Sequence, residues 1–124
     1  LAPDEIILSV RITPTRAAGY AKLHQRASHF AIVGVAAALT VSGGKVASAR
    51  VGLTGALSHA VRLTGVEQAL QGKAASADTI ASASANAATG VADLNSDIHA
   101  SADYRRAMIP VFTRRALEKA LSRA

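Results

Sequence analysis

The chain has 124 residues, a net charge of +6 and no cysteine; 50% of its residues are hydrophobic but only 3% aromatic. That length fits one domain, and the missing cysteine excludes a disulfide scaffold, a thiolate zinc site and a Cys-ligated iron–sulfur cluster within the chain. A charged fraction of 18% argues against intrinsic disorder, and 29 alanines mean that the core is built from small side chains.

Charge is concentrated at the two ends. Residues 1–26 carry +2, residues 27–100 balance at zero, and residues 101–124 carry +4. There is no lysine run and no alternation of basic and aromatic residues, so no nucleic-acid partner is expected. The longest apolar run, Phe30 to Leu39, is too short to span a bilayer, and no charged-then-apolar leader stands before the first predicted strand. The expectation is a soluble, cytoplasmic protein with no membrane span.

From Glu5 to Thr13 the even positions Ile6, Leu8, Val10 and Ile12 are apolar and the odd ones mostly polar, which predicts a half-buried strand stopped by Pro14. A short extended piece from Gly19 to Lys22 leads into a loop. Phe30 to Val41 alone suits a helix or a buried strand, because a continuous apolar run carries no usable period. Ser42-Gly43-Gly44-Lys45 decides in favour of a hairpin, since Ala47, Ala49, Val51 and Leu53 then alternate with Ser48, Arg50, Gly52 and Thr54.

Beyond Gly55 the pattern turns helical. Thr64 and Glu67 have capping-box spacing and predict a helix from Gly65 to Gln71, ended by Gly72. Ser76 caps a second helix with Asp78 in its first turn, running to Gly90 and Asp93 with a small-residue face that includes Ile80, Ser84 and Val91. Ser101 caps a third, in which Asp103 and Arg114, Arg115, Lys119 and Arg123 suit the macrodipole and Pro110 introduces a kink. This basic helix has two readings. Tyr104, Met108 and Phe112, four apart, pack inward and leave the arginines in water, or the arginines dock on an acidic surface of another subunit.

The four histidines, His24, His29, His59 and His99, show no metal-ligand spacing, and surface or loop positions are the default. No nucleophile elbow, phosphate-cradling loop or dinucleotide fingerprint is present. Read this way, the residues describe a small α+β domain without a catalytic centre of its own.

Several segments in order carry a resemblance. The run Gly19-Tyr20-Ala21-Lys22-Leu23-His24-Gln25-Arg26-Ala27-Ser28-His29-Phe30-Ala31-Ile32-Val33-Gly34-Val35, the Gly43-Gly44 hairpin, Val51-Gly52-Leu53-Thr54-Gly55 followed by Arg62, and Ser96-Asp97 ahead of Ser101-Ala102-Asp103-Tyr104-Arg105-Arg106 stand out. Arg114-Arg115-Ala116-Leu117 closes the series. Together they resemble the C-terminal domain of the flavoprotein (medium) subunit of aerobic carbon monoxide dehydrogenase and its xanthine dehydrogenase relatives, over nearly the whole chain.

The resemblance implies an α+β fold, a three-stranded antiparallel sheet packed against about three helices, occupying residues 1–124. It places the N-terminal FAD-binding domain outside this chain, which then looks like part of a longer subunit. It further implies a non-catalytic role in a molybdenum hydroxylase: a large subunit with a molybdenum cofactor oxidises substrate, a small iron–sulfur subunit with [2Fe–2S] clusters relays electrons, and FAD passes them to an acceptor. By resemblance, Tyr20 is the aromatic near the isoalloxazine, Lys22 and Arg26 match basic positions, and Ser28, His29 and Phe30 lie on the loop that approaches the ring. An aromatic can stack on a planar cofactor, and a nearby cation favours its anionic reduced form. His29 replaces the Asp of many relatives and Gln25 a second basic residue, which alters the charge expected there. For Tyr20 a place in the core is the competing reading. For the whole chain, the rival is a stand-alone basic interaction module that binds an acidic protein or nucleic acid through its last helix.

Overall fold

Gly43 and Gly44 take positive φ, 56° and 71°, the pair of values a tight two-residue hairpin requires. They join β2 (Ala31–Ser42) to β3 (Lys45–Thr54), with Ser42 opposite Lys45. β1 (Ala18–His24) pairs antiparallel with β2, and the two-residue β4 (Val61–Arg62) pairs with β3. The computed structural model describes all of residues 1–124 and gives an antiparallel sheet in the order β1-β2-β3-β4. The α+β class agrees with the sequence; the sheet has four strands, not three, because Val61 and Arg62 add a short edge that their composition does not announce.

Inward positions Val33, Val35, Ala37 and Leu39 of β2 and Val51 and Leu53 of β3 are buried to 4% exposure or less. Two bulges interrupt the alternation. Ile32 has no partner in β1, since Val33 faces Leu23 and Ala31 faces His24. Ala47 has none in β2, so Val46, not Ala47, turns inward.

The helices α1 (Thr64–Leu70), α2 (Ala77–Ala85) and α3 (Ala102–Leu121) cover one face of the sheet, α3 across β1 and β2 and α1 against β3. Ser76 and Ser101 cap α2 and α3 as expected, accepting from the backbone N–H groups of Thr79 and Tyr104. The capping box at α1 does not form. Leu63 holds the cap position without a side-chain bond, and Glu67 bonds Arg62 and the Val51 N–H. Helix α2 stops at Ala85, short of Gly90, because Asn86 and Thr89 are poor helix formers and a series of i→i+3 turns follows. Helix α3 continues through Pro110.

The inward face of α3 is displaced from the expected line. Tyr104 is 48% exposed, whereas Arg105, Ile109, Phe112, Thr113, Ala116, Leu117 and Ala120 are buried. Arg105 is thus the exception to arginines in water. The predicted strand from Glu5 to Thr13 is also absent as such: this arm is unpaired, and Ile6, Leu8, Val10 and Ile12 are 78–94% exposed. Its alternation answers to a burying surface that these residues do not meet within the chain.

Ten of the 24 core residues are alanine, so backbones approach closely. Between helix and sheet the approach is closest at Gly19, where a Cβ would lie 2.2 Å from the Ala116 carbonyl oxygen and 2.7 Å from the Ala120 nitrogen. No helix is long and apolar enough to cross a membrane.

Candidate functional site

With the helices on one face, the other face of the sheet is open, and the strand period decides what it shows. β1 presents Tyr20 and Lys22, β2 presents Gly34, Ala36 and Ala38, and β3 presents Arg50, Gly52 and Thr54. Gly, Ala and Gly at the centre leave a shallow shelf with almost no side chain above the backbone. Tyr20, 46% exposed, lies along it: its hydroxyl is 2.7 Å from where a Cβ on Gly34 would stand. The core reading of Tyr20 is therefore overturned.

The shelf forms a groove of about 690 Å³ whose lining includes Tyr20, Ala36, Gly52, Arg50, Arg62 and Arg123. An apolar floor with one aromatic and three guanidinium groups at its margin suits a flat, anionic molecule. The arginines are held in place by the fold. Arg50 Nη1 donates to its neighbour's carbonyl at Ala49, 3.0 Å away. Arg62 is bidentate to Glu67, both contacts 2.6 Å, which raises its pKa through that bond. Burial pushes the Glu67 carboxyl up, but the bonds from Arg62 and the Val51 N–H, with the charge of Arg62 and Arg50, bring it below its ordinary value.

Position along β1 is fixed from α3. Even-numbered residues of β1 point their backbone groups away from β2, at the sheet edge; Lys119 Nζ donates to the Tyr20 carbonyl at 3.2 Å and Arg123 Nη1 to the Ala18 carbonyl at 2.7 Å. Lys119 in the last turn of α3 and Arg123 in the turn just beyond it thus reach carbonyls two apart on a strand, which the close approach at Gly19 allows. Arg114 pairs with Glu118, Arg115 lies over the Phe112 ring at 5.0 Å and Arg106 donates to the Val91 carbonyl. The basic charge of this helix is engaged within the chain, which leaves the rival binding-module reading without support.

The residues indicated by resemblance fall into linked groups. Lys22 follows Tyr20 on the open face, and its Nζ donates to the His29 carbonyl at 2.6 Å, tying strand to loop. Ser28 donates both N–H and hydroxyl to Gln25 Oε1, so Gln25 acts as the loop's internal brace. His29 has φ of 59° and stacks on His24 with ring centres 5.3 Å apart. Phe30, 50% exposed, meets His99 edge-on at 6.0 Å, and Arg26 projects from the exposed loop. The sheet brings Tyr20 and Lys22 together, Lys22 reaches the loop, and Phe30 lies at the loop's far end. Gly34, Ala36, Gly52, Arg50 and Arg62 carry no site role in the sequence alone, although Gly34, Gly52 and Arg62 stand in the segments of the resemblance. For Gly34 and Ala36 the signal is one of size, small residues at even positions of β2 against mostly larger ones at odd positions; Arg50 and Arg62 carry no such signal.

No cluster of His and carboxylate groups in the chain could hold a metal ion. The donors present instead fit a planar organic cofactor, whose ring the shelf and Tyr20 can cover on one side.

Comparisons with known proteins give the family. The family model described as CO dehydrogenase flavoprotein C-terminal domain matches residues 18–120. The nicotine 6-hydroxylase medium subunit of Paenarthrobacter nicotinovorans is 31% identical over 99% of this chain and 44% of its own length. The carbon monoxide dehydrogenase medium chain of Hydrogenophaga pseudoflava is 32% identical over 99% of this chain and, again, 44% of its own. Among solved structures, quinoline 2-oxidoreductase from Pseudomonas putida 86 superposes with a TM-score of 0.78 at 29% identity, over 88% of this chain and 38% of that one. The chain spans less than half the length of the curated relatives it matches.

Proposed function

The chain belongs to the family of CO dehydrogenase flavoprotein C-terminal domains, and on that premise we propose that it forms one wall of an FAD pocket in the medium subunit of a molybdenum hydroxylase. The domain carries no bond-making residue. In this reading it works beside an N-terminal FAD-binding domain of the same subunit, a molybdenum-containing large subunit and an iron–sulfur small subunit, in the cytoplasm. FAD would supply the exchange of electrons between the [2Fe–2S] clusters and an acceptor.

The observation that carries the reading is the half-exposed Tyr20, its hydroxyl set over Gly34 on a shelf of Gly and Ala. Tyr20 covers the ring, Gly34 leaves room for its phenol, Ala36 and Gly52 let the ring approach the sheet, and Arg50 and Lys22 place positive charge where it favours an anionic reduced cofactor. Ser28, His29 and Phe30 close one end, with the Lys22–His29 contact holding loop and strand in one arrangement. Arg26 contributes long-range charge. The exposed arm from Glu5 to Thr13 packs its Ile6, Leu8, Val10 and Ile12 edge against the FAD-binding domain, because apolar side chains this exposed gain about 1.5–3 kcal/mol each when fully buried.

The test is FAD retention by the full-length subunit. Tyr20→Ala is expected to weaken FAD binding with the thermal unfolding of the apoprotein unchanged. Unaltered FAD binding together with lower stability would instead assign Tyr20 a packing role.

A further inference from the structure

Arg105 is a charged side chain only 1% exposed in a protein whose other arginines and lysines all reach the surface. A guanidinium survives such burial only when its donors are matched. Nη1 donates to the carbonyls of Ile32, at 2.8 Å, and Gly55, at 3.1 Å. Nη2 donates to Asp97 Oδ2 at 2.6 Å, and Nε makes a longer contact of 3.4 Å with the Ala100 carbonyl.

Each partner is a place where regular structure breaks. Ile32 is the bulge residue of β2, without a partner in β1. Gly55, with φ of 78°, follows β3 and passes so close to β2 that a Cβ there would lie 2.2 Å from the Ala31 carbonyl oxygen. Asp97 holds its own turn, since its Oδ1 accepts the N–H groups of His99, at 2.9 Å, and Ala100, at 3.1 Å. That turn carries His99 against Phe30. One side chain thus joins the beginning of β2, the end of β3 and the turn that supports the far end of the 25–30 loop.

A bulge changes by one residue which face the chain presents next. The geometry points to Arg105, through its bond to the Ile32 carbonyl and its pair with Asp97, as a positioning residue that sets the bulge and thereby the aim of Ser28, His29 and Phe30 at the cofactor. This inference rests on the reading of that loop as part of the flavin pocket. Hydrophobic filling of the same volume would not replace Arg105: it would take this donor from the Ile32 carbonyl at the bulge and the Gly55 carbonyl beyond β3, and cut the tie between the sheet and the 97–100 turn.

The test uses the full-length, FAD-loaded subunit, with Arg105→Lys, which keeps the charge but not the fork of donors, and Asp97→Asn, which keeps an acceptor for the turn but not the ion pair. Both are expected to weaken FAD binding by about tenfold and to shift the flavin midpoint potential. Amides of Ser28 to Phe30 should exchange about tenfold faster, while those of Val35 and Val51 stay as protected as before. FAD affinity and potential within about twofold of the unsubstituted protein, in variants alongside a Phe30→Ala protein that does lose FAD, would overturn the positioning role and leave the pocket standing. If neither Tyr20→Ala nor Phe30→Ala affects FAD, the pocket reading falls and the role of Arg105 falls with it. Should Arg105→Lys not fold, Asp97→Asn decides, because Asp97 is 44% exposed and its replacement leaves Arg105 its three carbonyls.

Discussion

A single methyl group at Gly19 tests the packing that sets Tyr20 in place. Built on the native backbone, the new Cβ would lie 2.2 Å from the Ala116 oxygen, 2.7 Å from the Ala120 nitrogen and 2.8 Å from Lys119 Cβ. Two of these are helix backbone, so no rotamer change relieves the overlap, and α3 must lift from β1 by about 1 Å to regain ordinary contact distances. The displaced seam contains Ala116, Leu117 and Ala120, each fully buried. Overpacking of this kind costs about 1–3 kcal/mol. Lengthening the edge contacts from Lys119 and Arg123 adds about 0.5–1 kcal/mol, against about 0.5–1 kcal/mol gained because alanine loses less backbone freedom than glycine on folding. Gly19→Ala is therefore expected to destabilise by about 2 kcal/mol, lowering the unfolding midpoint by roughly 6–10 °C at this chain length. Urea and thermal unfolding followed by far-UV circular dichroism measure it. A change below about 0.5 kcal/mol would refute the account of β1 as held directly on the α3 backbone.

Three further outcomes follow from the same geometry. Gly34→Ala meets the Tyr20 hydroxyl at 2.7 Å and the Ala31 Cβ and Thr54 Cγ2 methyl groups both at 3.1 Å, so it should cost about 1 kcal/mol of stability while FAD affinity of the full-length subunit falls, because the phenol must move off the shelf. Thr113→Val removes a fully buried hydroxyl without a partner and should raise stability by about 1 kcal/mol in urea unfolding. The Asp97 carboxyl is held below its ordinary 3.8 first by the His99 N–H, against burial and with help from Ala100 and Arg105, and Glu67 lies below its ordinary 4.5. Since both groups bind protons more weakly when folded, their contribution is complete above the unfolded values and is lost as pH falls through the lower folded ones. Thermal midpoints should be level above about pH 5 and decline toward pH 3, and Glu67→Gln should flatten part of that decline.

Local chemistry made the hairpin legible, because Gly43-Gly44 serves a turn that few other residues can make. Ser76 and Ser101 likewise marked helix starts through a hydroxyl that needs only its own neighbours. Features that depend on a distant partner were not legible. The arm from Glu5 to Thr13 has the period of a buried strand, but periodicity states the need for a covering surface and not where that surface is. Glu67 has the spacing of a cap and is drawn off by Arg62 and by the Val51 N–H, across an element boundary. Arg105 sits in a run of helix with Arg106 beside it and reads as surface; only the bulge at Ile32 and the turn at Gly55 supply the carbonyls that let it be buried. At the candidate site Tyr20 and Lys22 could be named from resemblance. The shelf beneath them could not, because Gly34, Ala36 and Gly52 differ from their neighbours in size more than in hydrophobicity.

In the proposed pocket the Tyr20 phenol lies against the flavin ring. Flavin fluorescence lifetime in the full-length subunit tests this directly, because a phenol in contact with an excited flavin quenches it by donating an electron. Replacement by Tyr20→Leu, with FAD still bound, should lengthen the lifetime markedly, whereas Tyr104→Leu, on the outward face of α3, should leave it unchanged. An unaltered lifetime in the Tyr20→Leu protein with FAD fully bound would contradict the account.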